Sequence, residues 1–137
     1  MRHLKSPLLL MTTLVLLASV SACAVNPHKT AQSLEQQGDA AYGELVIGKE
    51  QGAKILQDES VSDVAKRPIA QLIVDAKPVT DGLQDTLILY SEVKVEISTG
   101  ASTQDKLAVV DRDLSGWIAK AKPLIADLFK AIAGARK

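Results

Sequence analysis

Apolar residues recur at alternating steps of three and four through three successive stretches of this chain, the period of a helix rather than a strand. Over residues 27–57 the positions are Ala31, Leu34, Gly38, Ala41, Leu45, Gly48, Gly52 and Ile55. A second run takes in Ala65, Ile69, Leu72, Ala76, Val79, Leu83, Leu87, Tyr90, Lys94 and Ile97, with Lys94 as its one polar slip. A third takes in Leu107, Val110, Leu114, Trp117 or Ile118, Ala121, Leu124, Leu128 and Ile132, and Gly134 is expected to end it. The segment "VKVEIS" at 93–98 alternates with period two, but a lone strand would have only "LVI" at 45–47 to pair with, so helix is the better reading. The expected fold is all-α, an antiparallel three-helix bundle running up-down-up.

The punctuation between the runs supports short connections. Asn26 and Pro27 suit an N-cap and a first helical position. Ser60 with Asp63, and Ser102 with Asp105, resemble capping boxes. Gly100 in "STGAS" is available for a left-handed C-cap. In a hairpin turning there, the numbers of facing residues should sum to about 200. That places Pro78 and Pro123, each in an Ala-Lys-Pro phrase, at one level on facing helices. Gly38, Gly48 and Gly52 lie on the apolar stripe of the first run. Each weakens the helix by up to ~1 kcal/mol relative to Ala, so close approach of a neighbouring helix is the expected return.

Only Trp117, Tyr42, Tyr90 and Phe129 are aromatic, so the core must be aliphatic. Basic and acidic residues balance at 16 each, but Arg2 and Lys5 fall in the first 22 residues, where no acid occurs. The remainder is weakly acidic and lacks a basic run, which argues against a nucleic-acid partner.

The N-terminus has a short basic start, "MRHLK", then the apolar "LLLMTTLVLLASV" at 8–20. That length suits the h-region of a signal peptide and falls short of the ~20 residues a membrane span needs. An ordinary secretory signal and an uncleaved anchor are two readings of it. The four residues Val20, Ser21, Ala22 and Cys23 resemble the lipobox of bacterial lipoproteins. The resemblance implies that the Cys23 sulfur carries a diacylglyceryl group and that cleavage falls between Ala22 and Cys23. Several acyl chains make such an anchor effectively permanent. Ala24, rather than Asp, follows the cysteine. By resemblance to enterobacterial lipoproteins this favours the periplasmic face of the outer membrane over the inner membrane. The chain then divides into a cleaved signal peptide at 1–22, a lipidated tether at 23–26 and a helical body at 27–137. Cys23 is the only cysteine, so its lipidation leaves no disulfide and no free thiol.

The chemistry-bearing residues are few. His28 is the one histidine after the signal and sits at a helix start, which argues against triads and against zinc. Asp81 with Asp85, and Asp111 with Asp113, are read as solvated helix faces, and Trp117 as core. No cofactor is expected and an enzyme is not. The terminal "ARK" resembles the end of the major murein lipoprotein, in which the last lysine is joined to peptidoglycan; the resemblance would put that linkage on Lys137. The body is similar, through "AYGELV" and its alanine-rich capped helices, to small three-helix lipoproteins of unknown function. The expected role is a non-enzymatic envelope component that meets a protein partner. The alternatives are a module binding a small ligand or lipid between the helices near Pro78 and Pro123, and a phage-derived lipoprotein that blocks a receptor.

Overall fold

A computed structural model describes residues 33–136. Cys23, the Asn26–Pro27 cap, His28 and Lys137 lie outside the described residues, as does the signal segment. Three helices fill the described chain: α1 (Leu34–Gln57), α2 (Asp63–Ser98) and α3 (Gln104–Ala135). Each packs against both others.

α1 begins at Leu34. Ser33 is its cap and has non-helical backbone angles, and its box is complete: Gln36 N–H donates to Ser33 Oγ at 3.2 Å and Ser33 N–H to Gln36 Oε1 at 3.0 Å. The helix expected over 27–57 is therefore shorter within the described chain. Two further caps move by a residue or two. Ser60 does not cap α2, because its N–H and hydroxyl both donate to Asp58 Oδ1, at 2.9 and 2.6 Å, closing a turn. Ser62 caps α2 instead, accepting from Ala65 N–H at 3.4 Å. At α3 the cap is Thr103 rather than Ser102, with no side-chain bond to the helix. Gly134 is helical, and α3 continues to Ala135.

The turn between α2 and α3 forms as expected. Gly100 has φ +76°, Gly100 N–H donates to Ile97 O at 3.1 Å and Ala101 N–H to Glu96 O at 2.8 Å. That pair of bonds is a Schellman closure. "VKVEIS" is helical. Both helices run through their internal prolines, Pro68 and Pro78 in α2 and Pro123 in α3. Pro78 and Pro123 are exposed, as are Val74 and Ala119 four residues before them. The carbonyls that lose an N–H partner to proline can therefore bond to water.

The glycines set the packing. A β-carbon on Gly38 would meet Leu114 and Leu87 at 2.9 Å, one on Gly48 would meet Leu128 at 2.7 Å, and one on Gly52 would meet Ile73 at 2.9 Å. Gly43, off the stripe, has nothing within 4 Å. These contacts also fix directions. From Gly38 to Gly48 the α3 partner advances from Leu114 to Leu128, so α1 and α3 are parallel. From Gly38 to Gly52 the α2 partner retreats from Leu87 to Ile69, so α2 is antiparallel to both. Gly82 beside Trp117, and Glu96 beside Lys106, obey the expected hairpin register. The architecture is the up-down-up bundle, with an aliphatic core.

Candidate functional site

The middle of the bundle, level with Pro78 and Pro123, is where a ligand cavity would have to sit. It is occupied by Ala41, Leu45, Ala76, Val79, Leu83, Leu114, Ile118 and Ala121. Leu45, Ala76, Leu83, Leu114 and Ala121 are 0% exposed. A side chain with no accessible area touches no water-sized space, from outside or within, so there is no such void against these five. Ile55, Ile69, Leu128 and Ile132 continue the packing toward the far end. The buried hydroxyls are satisfied: Thr80 Oγ1 donates to Ala76 O and Thr86 Oγ1 to Gly82 O, both at 2.7 Å.

The surface offers a shallow depression lined by Ser91, Glu92, Val95 and Glu96. All four belong to α2, and one helix face alone cannot enclose a ligand.

The carboxylate pairs do not converge. Asp81 Oδ2 takes Lys77 Nζ at 2.5 Å in an exposed ion pair, and Asp85 is exposed. Asp113 is exposed, while Asp111 is half-buried. Among the described residues no group of three or more His, Cys, Asp or Glu is placed to hold a metal. Trp117 is half-buried, with its indole over Gly82 and Lys120 Nζ 4.2 Å from a ring centroid.

One polar group ties α1 to α2 with a charge of α3 beside it, and sequence reading missed it. Glu35 of α1 accepts from Lys94 Nζ of α2 at 2.6 Å, and that ammonium lies 5.6 Å from the Tyr90 ring centroid. Burial, then the nearby Asp111 carboxylate of α3, pushes the Tyr90 phenol above its ordinary value, with Lys94 opposing. The hydrogen bond and charge of Glu35 raise the Lys94 ammonium. The apparent slip in the α2 stripe was the available signal: Lys94 is exposed because Val93, at 0% exposure, takes the core position. This group is a cross-brace rather than a pocket.

No helix among the described residues is long and apolar enough to cross a membrane. The fold defines a class, a small all-α three-helix bundle with a close-packed core. Comparison with protein families, with characterised proteins and with solved structures finds no match to this chain.

Proposed function

We propose that the protein is a lipid-anchored component of the bacterial envelope that works by contact rather than by catalysis. The observation that carries the contact reading is the filled core. With no water-sized space against Leu45, Ala76, Leu83, Leu114 or Ala121, recognition is left to the outer helix faces. This weighs against the alternative of a ligand held between the helices near Pro78 and Pro123.

The anchor reading is supported by the Val-Ser-Ala-Cys run at 20–23, placed between an apolar segment and a polar body. In this reading Cys23 carries lipid at the periplasmic face of the outer membrane. Residues 24–32 then connect it to the first described cap at Ser33. The partner is an envelope protein met by a helix face.

Metabolic labelling with a radioactive fatty acid tests the anchor. Wild type should take up label and lose residues 1–22, while Cys23→Ser should remain unlabelled and uncleaved. A Cys23→Ser protein that matures and fractionates like wild type would sink the reading. Crosslinking in intact cells, followed by mass spectrometry, tests for the protein partner.

A further inference from the structure

Charge is unevenly distributed along the bundle axis. α1 enters at the same end as the Gly100 turn, since Glu35 pairs with Lys94. That end is acidic: the first half of α1 carries Glu35, Asp39 and Glu44 with no basic residue. Of its cations, Lys94 and Lys106 are held by carboxylates, Glu35 and Glu96, at 2.6 Å, and Arg112 is exposed outside these pairs. The opposite end differs. From residue 120 to 136, α3 carries Lys120, Lys122, Lys130 and Arg136 against Asp127 alone. All four cations are exposed. None of Lys122, Lys130 and Arg136 takes part in an ion pair among the described residues.

Along the outer face of α3 the exposed residues around Lys122 and Lys130 include Ala119, Pro123, Ala126 and Ala133, with Asp127 as the one carboxylate between the two lysines. The helix dipole accounts for a cation at the C-terminus, such as the C-cap Arg136, but its effect fades within the last turn. Lys122 lies more than three turns before Ala135, so the dipole leaves it unexplained.

We infer that the outer face of the C-terminal half of α3, centred on Lys122 and Lys130, docks non-covalently on peptidoglycan through the free carboxylates of its stem peptides. The inference rests on the envelope reading above. Charge complementarity selects this occupant: exposed cations outside any ion pair of the described residues fit a carboxylate-bearing polymer, and the acidic half of the bundle does not compete for it. α2, at 36 residues, is ~54 Å long, so the cationic face begins near mid-bundle and extends away from the Gly100 turn.

The test uses the full-length lipidated protein in non-ionic detergent, pelleted with purified peptidoglycan sacculi. Wild type should pellet at low ionic strength and be released at high salt. Lys122→Gln/Lys130→Gln should lower the pelleted fraction about fivefold, the range open to two exposed charge contacts. Lys54→Gln/Arg112→Gln removes the same charge elsewhere and should pellet like wild type. Sacculi with amidated carboxylates should retain nothing. Wild type left in the supernatant, equal pelleting of both double variants, or retention on amidated sacculi would each overturn the inference. The mass of the same preparation reports acylation of Cys23. Unacylated protein that still pellets counts against the anchor alone, and acylated protein that does not pellet counts against the docking face alone.

Discussion

Gly82 lies directly beneath the indole of Trp117, so closely that a β-carbon there would sit 2.5 Å from Cε2 and Cζ2. The contact seals α2 against α3 at mid-height. It turns a glycine that looks like a flaw in α2 into the seat of the chain's only tryptophan.

Two glycine substitutions should therefore have opposite signs. Gly82→Ala gains helix propensity of up to ~1 kcal/mol but must displace a flat ring, at an overpacking cost of ~1–3 kcal/mol. The expected result is a net loss in urea unfolding, with an altered Trp117 emission. Gly43→Ala meets nothing within 4 Å and should gain ~0.5–1 kcal/mol. Equal stability of the two variants would mean that the indole does not rest on Gly82.

Cap substitutions separate the bonded N-cap of α2 from the unbonded one of α3. Ser62→Ala should cost ~0.5–1 kcal/mol, the low end for an N-cap, because its bond to Ala65 N–H is long at 3.4 Å. Thr103→Ala should change stability little, since Thr103 makes no side-chain cap bond. Thermal melts of the two variants check this; a larger loss at Thr103 than at Ser62 would contradict the assignment.

Alkali should find Tyr90 late. Its phenol is raised above the ordinary 10.0, chiefly by burial and next by Asp111. A raised folded-state value means that the associated stability is complete below pH 10.0 and is lost as pH climbs through the folded value. Ultraviolet titration in a Tyr42→Phe background should place the phenolate transition above that of free tyrosine, and Asp111→Asn should bring it down. An unchanged midpoint in Asp111→Asn would remove the carboxylate as a cause.

Thr86→Val should be tolerated to within about 1 kcal/mol or be slightly stabilising. The threonine hydroxyl is buried but bonds only to Gly82 O, a carbonyl with access to its helical N–H partner. A loss of more than ~2 kcal/mol in chemical unfolding would show that the hydroxyl has a second role.

The helical period was readable because burial in a bundle repeats every three or four residues, and the glycines on the α1 stripe marked close approach without any structure. Errors arose where polar residues could serve either way. Sequence reading chose Leu87 for the α2 stripe. Leu87 does pack half-buried against the core beside Gly38, but the structure also buries Thr86, which the apolar stripe passed over, because a threonine can satisfy its hydroxyl on its own helix. Ser60 and Ser62 are equally good caps as letters; Asp58 decides between them by taking Ser60 into a turn. The Glu35–Lys94 brace spans 59 residues of sequence, so the slip at Lys94 marked one partner but nothing local named the other. For the proposed docking face, the lysines were legible as letters. Their place at the end away from α1's start follows from the expected up-down-up order, but their freedom from ion pairs does not.

An odd number of helices carries one further consequence. The described chain enters at Ser33 at one end of the bundle, and α3 finishes at Ala135 at the other. Tension applied between Ser33 and Ala135 would thus run along the bundle axis, loading the helices in shear rather than peeling them apart. Sliding α1 would drive Leu114, Leu128 and Ile73 out of the notches left by Gly38, Gly48 and Gly52. The glycines that make closer packing possible would then act as detents, giving a small domain without crosslinks a mechanical grip along the direction in which it would be pulled.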